Sequence, residues 1–126
     1  MTNNDKILIQ DLAARLPYGV ICKMSIYSDF PEENSIVEVL NVGGYEAFVN
    51  TMNTSATTPL FLKPFLRPMS SMTKEEKEEE NKLWNIITTT RNDLHYLYTD
   101  FLLSHHLDFR GLIPMGLAIE ATEGMY

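Results

Sequence analysis

Several absences bound this sequence before any motif does. A single cysteine, Cys22, among 126 residues excludes an internal disulfide and fits a reducing compartment. No apolar run approaches the ~18 residues of a membrane span. The start Met1-Thr2-Asn3-Asn4-Asp5 has none of the apolar stretch of a signal peptide. The expectation is a cytoplasmic chain with no membrane contact. Basic side chains are also scarce, 10 against 17 acidic ones, for a formal net charge of −7. That balance argues against a general binder of nucleic acid or anionic lipid. No internal repeat is visible. No Gly-Lys-Ser/Thr follows Gly43-Gly44, so those glycines make no phosphate cradle. No Gly-x-Ser-x-Gly frames a serine nucleophile.

What is present reads as an ordinary globular chain, 44% hydrophobic and 21% charged. Its length fits a single domain, 1–126, with a helix and small sheet over 1–72 and a helical part with a tail over 73–126. Charge divides the chain further. Residues 51–73 carry Lys63 and Arg67 and no acid, a cationic island between two acidic parts.

Leu8, Leu12 and Leu16 recur every four residues, with Ile9 and Ala13 widening the stripe. They predict a helix over 7–16, capped by Asn4 or Asp5 and ended by Pro17. Val20–Ile26, Ser35–Asn41 and Tyr45–Asn50 are β-branched and aromatic, and predict strands. A proline-bearing connection over 29–34 and a hairpin turn at Gly43-Gly44 join them. The threonine-rich Thr51–Thr58 reads as a loop. Leu60–Leu66 reads as an edge strand, because Pro59, Pro64 and Pro68 cannot donate to a ladder. Thr73 with Glu76 makes a capping box for a second helix whose charged start, Lys74–Glu80, is expected to be solvated all round. The threonines 88–90 are expected to end or kink it. A last helix over 92–106 presents Leu94, Leu97, Tyr98, Phe101, Leu102 and His105 on one face, expected to pack on the sheet.

Catalytic candidates are thin. His95 and His106 share a helix face but lie about 16 Å apart along the axis, too far for one ion. His105 and His106 diverge by about 100°. Ser104, His105 and Asp108 supply the types for a nucleophile relay, without a motif that frames them. Cys22 lies in an apolar strand, where a buried, inert thiol is expected. The acids 75–80 lack apolar neighbours to form a pocket for paired-carboxylate chemistry. No cofactor, metal or catalytic residue is assigned, and whether the chain is an enzyme stays open, with a non-enzyme favoured.

The cationic island carries more information. Phe61, Lys63, Phe65 and Arg67 alternate aromatic and basic groups, a pattern that can track a nucleic-acid strand or form a docking edge for a protein. In a nucleic-acid factor, Lys23 or Arg91 would join them on one face. The simpler expectation is structural, with Lys63 and Arg67 paired to the acidic helices and Phe61, Leu62 and Phe65 in the core. Arg110 is expected to lock the tail against Asp108 or a carbonyl.

Two stretches carry a resemblance. One is Leu62-Lys63-Pro64-Phe65-Leu66-Arg67-Pro68-Met69-Ser70-Ser71-Met72-Thr73 ahead of the Glu/Lys-rich helix. The other is Asp108-Phe109-Arg110-Gly111-Leu112-Ile113 with Gly116-Leu117-Ala118-Ile119-Glu120-Ala121 and Glu123-Gly124-Met125-Tyr126. Together with Asp11–Val20 they resemble a group of small uncharacterised proteins of gut bacteria and their prophages. The match covers about a third of the chain, and related proteins carry a longer insertion between the two helical regions. The resemblance implies a bacterial or prophage setting and no catalytic residues.

Strands first and helices after predict an α+β fold. A small antiparallel sheet, for which an SH3-like half-open barrel is one form, is joined by an N-terminal helix and two C-terminal helices. The functional expectation is a non-enzymatic interaction or accessory protein with another protein as partner. A nucleic-acid accessory role through Lys63 and Arg67 is the alternative.

Overall fold

The computed structural model describes residues 2–24, 35–42, 47–50, 55–57, 62–89 and 94–126. The 29–34 connection, the Gly43-Gly44 turn, Phe61, Thr90 and Arg91 lie outside them. The chain is α+β. Helix α1 (Asn3–Arg15) leads through a short 3-10 turn into strands β1 (Ile21–Met24), β2 (Ser35–Val42), β3 (Ala47–Asn50), β4 (Ser55–Thr57) and β5 (Leu62–Leu66). Helices α2 (Lys74–Thr89) and α3 (His95–Ser104) follow, and the tail adds a two-residue strand, β6 (Ile119–Glu120).

The strands stand in the order β4-β3-β2-β1-β5-β6, an open sheet with β4 and β6 at its edges. Neighbours are antiparallel except β5 and β6, which run parallel with Phe65 opposite Ile119. Two expectations are corrected here. The segment read as a loop, Thr51–Thr58, contains β4, paired to β3. The predicted edge strand, β5, is interior, flanked by β1 and β6. Its proline is tolerated because β6 pairs only with Phe65 and Leu66, one residue beyond Pro64.

Helix α1 starts earlier than its hydrophobic stripe does. Its cap is Thr2, in a reciprocal capping box with Asp5, and neither Asn4 nor Asp5 serves as the cap. Its buried face is Leu8, Asp11, Leu12 and Arg15, the i, i+3, i+4, i+7 set of a helix. Ala13 is exposed and Ile9 only half-buried, so the stripe is rotated from the leucine repeat toward a buried ion pair. Leu8 and Leu12 pack with Val20, Cys22, Val37, Val39 and Leu62 on one face of the sheet.

The predicted box between Thr73 and Glu76 caps α2. Glu76 itself is buried, against the expectation of a fully solvated charged start, because Arg67 and His105 pair with it. Helix α2 runs through Thr89, with the hydroxyls of Thr88 and Thr89 donating back to carbonyls at Trp84 and Asn85. Among the described residues the α3 face packs mainly on α2 and the segment 69–72, where packing on the sheet was expected. Phe101, Leu102 and Leu107 gather there with Met69, Met72 and Leu83.

The end of α3 is a Schellman motif. Leu107 N–H donates to the Leu102 carbonyl and His106 N–H to that of Leu103. The left-handed position, φ 59°, is held by His106 where glycine is usual. Arg67 then bonds both ways with this turn, its N–H donating to His106 and its carbonyl accepting from Asp108. Farther on, the Asp108 carboxylate accepts from Leu112 and Ile113 N–H at 2.7 and 2.9 Å. Arg110 therefore does not bond Asp108. It reaches Asp11 on α1 at 2.6 Å.

Candidate interaction surface

Of the four residues singled out in the cationic island, Phe61 lies outside the described residues, and Lys63, Phe65 and Arg67 do not form one site. Arg67 grips Glu76 through two hydrogen bonds, 2.8 Å from Nη1 and 2.6 Å from Nη2. Its remaining donors reach the carbonyls of His105 and Ser71. Glu76 also accepts from Thr73 N–H and lies 2.9 Å from His105 Nδ1. The Arg67 hydrogen bond, more than any other contact, pulls the Glu76 carboxyl down to about 2. This clasp joins the end of β5, the start of α2 and the end of α3. Phe65 is buried at 7% exposure. Lys63 is exposed and has no ion pair among the described residues, so the expected pairing to the acidic helices is corrected for it.

Lys63 belongs instead to the sheet face that α1 leaves uncovered. Along β2, Val37 and Val39 point into the core while Ile36, Glu38 and Leu40 point out. Ile36 is 64% and Leu40 52% exposed. The register skips Leu40 between Val39 and Asn41, a β-bulge that leaves this leucine unpaired with β3. Across the strands, Ile36 stands opposite Lys23, and Lys23 opposite Lys63. One row thus carries an aliphatic anchor and two adjacent ammonium groups. A glutamate oxygen of Glu38 lies 3.8 Å from the position a Cβ would take at Gly19, at the far end of β1 from Lys23. The sequence linked Lys23 to Lys63 only through the nucleic-acid alternative, in which Lys23 or Arg91 would join Lys63 and Arg67 on one face. Lys23 and Ile36 became legible as neighbours only through strand register.

A separate cleft of about 640 Å³ lies between the clasp and the tail, lined among others by Arg67, Glu76, His105, His106, Glu123 and Tyr126. The ring of Tyr126 stacks on His106 at 3.6 Å, and its hydroxyl donates to the Phe65 carbonyl at 2.7 Å. Burial first, then the charges of Arg15 and Arg67, lowers the His106 pKa to about 4. The neutral form is therefore favoured in the fold. An unfolded chain takes up this proton near 6.5, so its contribution is present above pH 6.5 and lost as pH falls toward 4. Glu76 acts in a lower window, between its ordinary 4.5 and about 2. Thermal melts should show a falling Tm between pH 6.5 and 4 that His106→Asn removes, asparagine being tolerant of the left-handed position. An unchanged pH profile in that variant would contradict the assignment.

The Ser104, His105 and Asp108 side chains do not meet as a relay. Ser104 donates its hydroxyl to the Phe101 carbonyl, and the Asp108 carboxylate is held by the Leu112 and Ile113 amides. His105 faces Glu76 and Glu79. Cys22 is fully buried, and burial raises its thiol pKa further from ionisation. Among the described residues no group of three or more His, Cys, Asp or Glu side chains is placed to hold a metal ion, and no helix is long and apolar enough to cross a membrane. Comparisons with protein-family models, curated proteins and solved structures return no match.

Proposed function

We propose that this chain is a non-enzymatic interaction protein that docks a protein partner on the outer face of its sheet. The observation that carries this is the asymmetry of the sheet. One face is covered by α1 through Leu8 and Leu12, while the other presents Ile36 and Leu40 to solvent. Large aliphatic groups exposed on one face of a sheet are a frequent mark of partner surfaces. The motif resemblance over 62–73 and 108–126 supports a bacterial or prophage setting, acting in the cytoplasm. The nucleic-acid alternative is weakened by Arg67, whose guanidinium is committed to Glu76 and backbone carbonyls.

A photo-crosslinking side chain at position 36 or 40, in cells of the bacterium that carries the gene, tests this reading. Adducts that are protease-sensitive and nuclease-resistant are expected at both positions and absent at Glu78, an exposed position on α2. The pair Ile36→Ser with Leu40→Ser should change stability by no more than about 1 kcal/mol, because both are exposed, while abolishing an adduct formed at Lys63. No adduct, or a nuclease-sensitive one, would overturn the proposal.

A further inference from the structure

The exposed row Ile36–Lys23–Lys63, with Leu40 beyond it on β2, fixes what kind of partner the face can take. We infer that this face takes an acidic amphipathic helix of another protein, its aliphatic stripe on Ile36 and Leu40 and its carboxylates over Lys23 and Lys63. The inference rests on the docking-face reading above and adds the chemistry of the occupant.

Three features point the same way. Lys23 and Lys63 are direct cross-strand neighbours, an arrangement that places their Cβ atoms about 5 Å apart and is unfavourable for like charges. A carboxylate laid between them removes that repulsion. The only carboxylate on this row's side of β2 among the described residues, Glu38, lies toward Gly19 and not toward the lysines. Neither lysine has an ion pair among the described residues.

The second feature is spacing. Ile36 and Leu40 are four residues apart on one strand, no more than about 13 Å along its axis given the bulge at Leu40. Apolar positions i and i+8 of a helix span about 12 Å. The lysine columns lie about 5 and 10 Å to one side, within reach of glutamates flanking such a stripe. The same sheet already shows this solution on its other face, where the α1 stripe covers β1, β2 and β5.

The third is exclusion. The chain carries −7 overall, so an acidic partner is repelled from most of the surface and attracted here. Such a charge pattern sets orientation and speeds encounter.

The test uses the full chain and three synthetic helical peptides with one leucine stripe and flanks of Glu, Gln or Lys, titrated at 50 and 300 mM salt. The Glu peptide should bind at least tenfold more tightly than the Gln peptide, and the preference should shrink at 300 mM. Lys23→Glu with Lys63→Glu should turn the preference to the Lys peptide, with the circular dichroism of the fold unchanged. Ile36→Ser with Leu40→Ser should remove binding of both. Equal affinity for Glu and Gln peptides, a preference for Lys, or no binding by any peptide overturns the inference. So does tighter binding of a single-stranded oligonucleotide, or a concentration-dependent dimer in sedimentation that seats a second copy on the face. If the peptides fail while the cross-link at position 40 persists, the acidic helix falls and the docking face stands. If both are absent, both fall.

Discussion

Asp11→Ala should lower the unfolding free energy by about 3–5 kcal/mol, a loss typical of breaking a buried ion pair from one side. The Asp11 carboxylate is fully buried and accepts three hydrogen bonds. Arg15 supplies two, 2.8 Å from Nε and 3.1 Å from Nη2, and Arg110 the third at 2.6 Å. Removing it leaves the Arg15 guanidinium, also at 0% exposure, with the Leu107 carbonyl and the face of Phe109 as its partners among the described residues. Its Nη1 already lacks a hydrogen-bond partner among the described residues, so the site has no reserve acceptor. Arg110 is 23% exposed at its side chain and can turn to solvent, so the damage comes mainly from Arg15. Asp11→Ala combined with Arg15→Met should therefore recover most of the loss, since it removes the unpaired charge and keeps apolar bulk. Urea unfolding measures both. A single-variant loss under about 1 kcal/mol would mean that the guanidinium finds water on substitution, and that the pair holds nothing.

Phe101→Ala should cost about 3–5 kcal/mol through the cavity it leaves. Phe101 is 4% exposed and sits between Tyr98, with ring centroids 6.4 Å apart, and His105, at 4.7 Å. It shares a cluster with Leu102 and Leu107, against Met69, Met72 and Leu83. Phe101→Leu should recover more than half of the loss, because the γ-branched chain fills much of the same space. The chain's single tryptophan, Trp84, lies 4.8 Å from the Tyr98 ring, so its fluorescence reports on this helix pair directly. A loss confined to below 1 kcal/mol would show that α2 and α3 close around the gap.

Local chemistry was the most legible part of the sequence. The Thr73–Glu76 box depends on residues three apart, and the structure contains it. The order of one helix, several strands and two helices followed from hydrophobic period together with strand composition, turn residues and capping signals. Errors began where a polar group was buried. Asp11 and Arg15 complete the α1 inner face, yet a search for apolar residues passes over them and settles on Leu16 and Ala13. His106 stands where glycine normally marks a helix end, which hid the Schellman turn. Pro64 suggested an edge because the length of β6 could not be foreseen. In the candidate site, the fate of Arg67 was legible from charge, since an acidic helix start follows it closely. The fate of Lys63 was not. Its neighbour Lys23 is forty residues away, and only the register of β1 against β5 brings them together.

The contacts that tie the two ends of the chain together bear on how it folds. The Arg110–Asp11 bond spans 99 residues, and the Tyr126 hydroxyl bonds to Ile21, 105 residues away. Contacts of such separation close nearly the whole chain as one loop, so they contribute to contact order and little to a local nucleus. Interactions that form after the rate-limiting step govern escape from the native state and leave the folding rate nearly untouched. If the tail contacts close on α1 and β1 only after that step, they act as a kinetic latch, and weakening Arg110 or Tyr126 should speed unfolding while leaving the folding rate nearly unchanged.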